Sequence, residues 1–350
     1  MCGMEVLPPD VAVVAFRSTN NGIRQFQTSM TTSSSSPEFS AFQKLLRQVY
    51  RDPTISLQQV ERLRAHLHRL FILRTIDNTT FLLKCSPARD TRLLRHEYKS
   101  LETEARVLDL ISSKTHVPVP RRLTLDSSSS NTIRTAYLLR SYITGSTLSD
   151  ILPFLSASER ADIDRSVGAY FHSLTEIQLR SFGSTSKVYE NQGSDTWSQA
   201  FRMMLESALR DAEDLLISLP YDTIRYWAAA HKGVLDEVAE PRMVPMDAGK
   251  PSKIVLDERR KHVVGLLGFS NVVWGDPLLA GVFASASEAF WEGYGGQPTD
   301  NRGYRIRRLL YYVYRSVVSV ATQYYRPSTE EEDFEARRTL TWALGQLAGQ

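Results

Sequence analysis

The chain has 350 residues, 42% of them hydrophobic and 10% aromatic, enough for about two domains or one large two-lobed unit with ordinary cores. Its 42 basic and 39 acidic side chains leave a net charge of +3, too mild for a strongly basic nucleic-acid binder or an acidic disordered chain. Two cysteines, Cys2 and Cys85, exclude a disulfide framework, and no apolar run reaches the roughly 18 residues of a membrane span, so a cytoplasmic protein without membrane or nucleic-acid partners is expected.

Residues 1–37 read as a disordered N-terminal tail, because Thr31 to Ser36 is a polar run without apolar period. Ser36-Pro37-Glu38 then predicts a helix start, with Ser as cap and Pro at the first position, followed by Phe39, Phe42, Leu45, Leu46 and Val49 at helical spacing. Arg69 to Ile76 and Thr79 to Cys85 flank Asp77-Asn78 and predict a hairpin. Thr91 to Ser113 predicts a second helix with Leu94, Leu101, Ala105 and Leu108 on one face, ended by Val117-Pro118-Val119-Pro120. Two strands are expected near Arg121–Leu125 and Ala136–Tyr142, around the Ser127–Ser130 loop. Residues 38–145 therefore form a small N-terminal lobe.

Residues 146–350 read as a mostly helical second lobe. Ser156 with Glu159 is a capping box opening a helix with Ile163, Val167, Tyr170 and Leu174 inward, and Thr196 with Gln199 opens a longer one through Phe201, Met204, Leu205, Ala208 and Leu215. Between Arg242 and Phe269 the helical period stops. Val244, Ile254–Leu256 and Val263–Leu267 are short strand-like runs, and three further helices follow.

No G-x-S-x-G, H-E-x-x-H, G-x-G-x-x-G or Walker A motif occurs. His66 and His68 alternate on one expected strand face, but paired core-edge histidines are far commoner than a metal pair, so no metal residue is assigned. The informative residues are spread along the chain. Lys84 ends the strand run Phe81-Leu82-Leu83-Lys84, and Glu104 follows 20 residues later at the edge of the Leu101/Ala105/Leu108 stripe. Later come Val244-Pro245-Met246-Asp247, Pro251-Ser252-Lys253, Gly265-Leu266-Leu267-Gly268-Phe269 and Trp274-Gly275-Asp276-Pro277.

Over roughly residues 55–345 this order resembles the aminoglycoside phosphotransferase and choline kinase superfamily. The fungal branch is the most similar, through Leu93-Leu94-Arg95-His96-Glu97, Leu101-Glu102-Thr103-Glu104-Ala105 and Tyr137-Leu138-Leu139-Arg140. The resemblance implies an α+β, two-lobed protein-kinase-like fold, its small N-terminal lobe an antiparallel sheet and its C-terminal lobe mainly helical. It implies ATP and Mg²⁺ as cofactors, with Lys84 and Glu104 as the nucleotide-binding pair, Leu138 to Gly145 as the hinge and Asp247 as the catalytic base. It also implies a structural role for Asp276 and, weakly, a setting in secondary metabolism.

Two positions depart from the family pattern. The Asn that binds one metal falls on Ser252 by strict count, or on Lys253 if one residue is inserted. The second metal ligand, an Asp eight residues before Asp276, falls on Gly268. The turn Arg64-Ala65-His66-Leu67-His68-Arg69 also lacks a phosphate-covering glycine. These changes argue against Mg²⁺ binding and should cost several orders of magnitude in rate.

Three readings follow. The first is a pseudokinase or repurposed small-molecule-binding protein. The second is an active small-molecule phosphotransferase using Asp247 with substitute metal ligands. The third is a regulatory partner of other enzymes. The substrate side is expected near Phe290 to Tyr325, with Trp291, Tyr294, Tyr304, Tyr311, Tyr312 and Tyr324, although helical spacing makes Leu309, Tyr312 and Val313 core. Arg302, Arg305, Arg307 and Arg308 read as a solvated helix face before an anion-facing patch.

Overall fold

In the computed structural model, which describes residues 30–32, 36–128, 130–257, 259, 261–327 and 329–350, the first helix starts at its expected cap. Ser36 Oγ accepts from Phe39 N at 3.1 Å, and Pro37 opens α1 (Pro37–Tyr50). Its stripe of Phe42, Leu45 and Leu46 is buried against one face of a sheet. The strands of that sheet are β1 (Met30–Thr32), β2 (Leu57–Leu63), β3 (Arg69–Thr75), β4 (Thr80–Cys85), β5 (Arg122–Asp126) and β6 (Tyr137–Ser141). They lie in the order β1-β2-β3-β4-β6-β5, every neighbour antiparallel.

The hairpin of β3 and β4 and the pair β5 and β6 stand where the alternation places them. Two strands do not follow from the sequence. In β2 only Leu57 and Val60 are buried, three residues apart and among polar neighbours, so no period of two is visible. The strand exists because both its edges are paired. One partner is β1, inside the stretch expected as tail, with Met30 opposite Arg62. The rest of residues 1–35 lies outside the described residues.

The second helix, α2 (Ser100–Lys114), lies on the other face of the sheet, with Leu101 and Ala105 against Leu138 of β6. It starts later than its periodicity suggested. Residues 91–99 instead form a strap holding one 3₁₀ turn (Arg95–Glu97) and ending at Lys99 with φ +59°. Leu94 is the cause. It leaves the helix stripe and is buried against Ala212, Ile217, Val320, Ala321 and Ala336 of the other lobe.

The chain enters the second lobe through residues 142–145 into β7 (Ser146–Thr147), which pairs with β10 (Ile254–Leu256), itself paired with β11 (Val263–Leu266). Helices α3 (Leu148–Ile151) and α4 (Ala157–Thr175) follow, α4 under the Ser156–Glu159 capping box. Next come β8 (Gly183–Ser184), α5 (Thr185–Tyr189), α6 (Trp197–Glu213), α7 (Tyr221–Ala230) and α8 (Lys232–Leu235). A third sheet joins β8, β12 (Val272–Gly275) and β9 (Arg242–Pro245) in that order. The last helices are α9 (Glu288–Tyr294), α10 (Arg302–Tyr325) and α11 (Glu330–Ala348).

The core of this lobe is aromatic, with Phe171, Trp197, Phe201, Trp274 and Tyr311 fully buried. Helices α4 and α9 touch at Gly168, where a Cβ would sit 2.0 Å from the Phe290 carbonyl oxygen, so only glycine permits that approach. The architecture is the expected one: an α+β chain with a small antiparallel-sheet lobe and a mainly helical lobe. Among the described residues no helix is long and apolar enough to cross a membrane.

Candidate active site

Alternation along β4 builds the first half of the site. Leu83 points to the α1 side and joins the cluster of Phe42 and Leu46, so Lys84 points to the α2 side. There Lys84 Nζ donates to Glu104 Oε2 at 2.5 Å, with both side chains buried. Ser270 ties the pair to the other lobe: Lys84 Nζ donates to its Oγ at 2.5 Å, and that hydroxyl donates to Glu104 Oε2 at 2.8 Å. Arg140 of β6 adds a second cation, its Nε 3.4 Å from Glu104 Oε1. Burial alone would push the Glu104 carboxyl up, but Lys84 and then Arg140 outweigh it and hold it at about 2.

The loop after β9 builds the second half. Met246 N donates to the Asn271 carbonyl at 3.0 Å, which holds the loop beside the strand that follows Ser270. Asp247 is half-exposed, and Lys250 Nζ donates to its Oδ1 at 2.5 Å. A 3₁₀ turn, Pro251–Lys253, brings the next lysine inward: Lys253 N donates to Lys250 O at 2.7 Å, and its carbonyl accepts from Leu267 N at 2.8 Å. The Lys253 backbone therefore lies against Leu267, the residue before Gly268. Burial pushes its ammonium down, and Asp247, Lys84, Lys250 and Glu104 all act on it. Gly268 has φ +94°, in the left-handed region, and a Cβ there would lie 3.1 Å from the Asp247 carbonyl carbon and the Ala248 nitrogen. An aspartate at 268 would thus be both strained and crowded.

The strap closes one side of this space. Arg95 donates from its backbone N and its Nη1 to the buried Asp211 of α6, at 3.0 and 2.6 Å, and from Nη2 to Asp214 at 2.8 Å. Arg326 pairs with Glu97 and donates to Arg92 O. His96 is carried in beneath these clamps. Burial pushes its imidazole down to about 4, against the pull of the Asp247 carboxylate. Next to the strap lies a cavity of about 250 Å³ lined by His96, Lys99, Lys187, Met204, Ser270 and Tyr314, among others. A larger cavity of about 570 Å³, against Phe283, Trp291, Tyr304 and Arg308, includes none of the residues named above for the site.

Lys84, Glu104, Lys253, Gly268 and Asp247 thus come together from separate segments. Sequence reasoning missed Ser270, Lys250, Arg140 and the strap. Arg140 carried a signal, a charge inside the apolar run Tyr137-Leu138-Leu139, whereas Ser270 carried none. Most of the C-terminal aromatics serve the core: Tyr304 and Tyr311 are buried, and Tyr311 accepts from Trp197 Nε1 at 2.8 Å. The four arginines of the basic run do not form one patch. Arg307 pairs with Asp276 and Glu237, Arg305 with Asp300, Arg302 with the Gln350 carbonyl, and Arg308 lies over Tyr304. His66 and His68 lie in the turn between β2 and β3 rather than on a strand, with His66 exposed. His68 is buried and bonds Ser100 Oγ at 3.0 Å, and no group of three metal-ligating side chains exists among the described residues.

A family model described as the phosphotransferase enzyme family matches residues 59–297. The chain belongs to that family. No curated protein matches it. Among solved structures it is similar to a candidate aminoglycoside phosphotransferase from Ralstonia eutropha JMP134, 14% identical, TM-score 0.60, covering 89% of this chain and 97% of that one. It is also similar to a thermostable aminoglycoside phosphotransferase APH(4)-Ia variant in ternary complex with AMP-PNP and hygromycin B. That chain is 15% identical, with TM-score 0.55 and coverage of 89% and 97%. A third is APH(2")-IIa with streptomycin and ATP, 12% identical, TM-score 0.53, covering 86% and 95%. At such identities these likenesses concern the fold.

Within this phosphotransferase-family fold, the residues present do not suit a divalent cation. Mg²⁺ takes octahedral oxygen ligands, with one or two carboxylates beside the phosphates. Position 268 offers no side chain, Asp247 already accepts from Lys250, and the Lys253 ammonium adds positive charge where a cation would sit.

The burial of His68 has a measurable consequence. Burial, then the charge of Lys84, pushes its imidazole from 6.5 down to about 3. In the window between those values the unfolded chain binds more protons, so stability falls as pH drops. At pH 5 the loss is about 1.5 pH units, or about 2 kcal/mol from this residue. Melting temperatures at about pH 7.5 and about pH 5 are expected to differ less in His68→Gln than in the natural chain. An equal difference in both would assign the acid sensitivity to other groups.

Proposed function

We propose that this phosphotransferase-family protein is a kinase-fold binder of a small molecule in which phosphoryl transfer is absent or very slow, and that it serves small-molecule, secondary metabolism. The observation that carries this reading is the replacement of metal-ligand chemistry by ammonium groups around Asp247. Lys250 occupies its carboxylate, Lys253 stands beside it, and Gly268 contributes nothing. In phosphoryl transfer the metal neutralises charge developing on the transferred group, and it has no ready place here. The Lys84–Glu104 pair and its Ser270 link to the second lobe suit retention of a cleft, and relatives of this fold include complexes with nucleotides and with hygromycin B or streptomycin.

A second reading, an active phosphotransferase, is favoured by one observation: Asp247 survives at the half-exposed position expected of a base. Incubation with labelled ATP, Mg²⁺ and a panel of hydroxyl- and amine-bearing acceptors separates the two. The expected result is turnover far below the roughly 1 per second at the low end for kinases. Turnover at that level would establish the second reading instead.

A further inference from the structure

The departures from the family pattern share a sign. Near Gly268 the chain gathers three lysines from two segments, Lys84 from β4 and Lys250 and Lys253 from the loop after β9. Lys84 is held by Ser270, two residues after Gly268. Lys253 is held through its carbonyl by Leu267 N, one residue before it. Lys250 is held by Asp247, whose backbone touches the Gly268 position. Two carboxylates face them, Glu104 and Asp247, and each already has an ammonium at 2.5 Å. Arg140 adds a further cation behind Glu104. Lys253 is the one without a carboxylate: it makes no ion pair among the described residues, although it is half-buried. Lys84, Lys250, Lys253 and Arg140 outnumber the two carboxylates, Glu104 and Asp247, and an anion relieves that excess of positive charge.

We propose that the cleft holds a phosphate-bearing anion directly on Lys84, Lys250 and Lys253 with no divalent cation, the Lys253 ammonium supplying the positive charge that a metal ion would bring. This deepens the reading of the chain as a non-transferring binder and names the class of its ligand. Lysine suits the task because its ammonium is a compact point charge with three donors, strong toward phosphate oxygens. The same charge repels Mg²⁺ from the space it occupies, so metal and lysine are alternatives. A phosphate chain held this way is bound but lacks the bridging cation that transfer requires.

Calorimetry on the full chain tests this with two probes, ATP and inorganic triphosphate, each in excess EDTA and in excess MgCl₂. At least one probe is expected to bind in EDTA, and Mg²⁺ is expected to weaken that binding, because it neutralises the phosphate charge the lysines recognise. Tighter binding of ATP than of triphosphate assigns a contact to the adenosine, whereas equal binding assigns the site to the phosphates alone. Lys253→Asn is expected to weaken binding in EDTA by about tenfold or more, and Lys253→Arg to retain most of it. Melting curves confirm that both variants fold, and the comparison of EDTA with Mg²⁺ on the natural chain decides the matter even if they do not. Binding that requires Mg²⁺, no binding of either probe, or unchanged EDTA affinity in a folded Lys253→Asn overturns the proposal. None of those results restores phosphoryl transfer, so the two readings fail on different measurements.

Discussion

Glu104→Ala is expected to lower the melting temperature by on the order of 6–10 °C. Glu104 is the only carboxylate paired with Lys84 and Arg140 among the described residues, and its side chain is buried. Arg140 Nε makes no hydrogen bond of its own, so its compensation is the Glu104 charge. Removing that carboxylate leaves Lys84 with the Ser270 hydroxyl and Arg140 without its paired carboxylate, and breaking a buried pair from one side costs about 3–5 kcal/mol. For a chain of this size about 2 °C per kcal/mol converts that cost. Glu104→Gln keeps the volume and one acceptor and should lose less. A double change, Glu104→Leu with Lys84→Met, removes charge on both sides, and its cost should fall short of the sum of the single changes. The pH dependence has a definite sign. A carboxyl held at about 2 contributes stability that is complete above the ordinary carboxylate range and is lost as pH falls toward about 2. A melting temperature for Glu104→Ala within about 2 °C of the natural chain would show that the network adds little.

Asp276→Ala is expected to cost at least about 3 kcal/mol and to loosen the second lobe. Asp276 is buried between β12 and α10 and accepts from three donors: Tyr311 Oη at 2.7 Å, Arg307 Nε at 3.1 Å and Leu278 N at 3.0 Å. Each buried donor left without an acceptor costs about 1–3 kcal/mol. The loss spreads, because Tyr311 also accepts from Trp197, at the centre of the aromatic core. Chemical denaturation with tryptophan fluorescence reads both the stability and the environment of Trp197. Asp276→Asn should be costly too, since one half of an amide donates where Asp276 only accepts. Denaturation midpoints of Asp276→Ala and the natural chain that coincide would contradict this account.

How much of this was legible follows the range of the interactions. The Ser36, Ser156 and Thr196 caps were readable because the signal and the structure lie within three residues of each other. The β3–β4 hairpin was readable because turn residues and alternation lie side by side in the chain. Strand β2 was not, since its pairing energy comes from partners on both sides and its own side chains are half polar. The Thr91 helix was misread for a similar reason. Leu94 has the right spacing for the α2 stripe, but burial in the other lobe outweighed local periodicity.

The sequence by itself determined the lobes' composition, the helix starts at Ser36, Ser156 and Thr196, the order of the site segments, and the absence of a side chain at 268. Those are properties of residue type and of neighbours within a few positions. Tertiary structure alone decided which charges meet. Ser270 joins Lys84 across 186 positions, Arg95 reaches Asp211 across 116, and Lys253 comes beside Asp247 because Leu267 N holds its turn. Whether a lysine is a solvated surface charge or part of a cationic cluster depends on which backbones pack together. That packing is a sum over the whole core, so no local spacing encodes it.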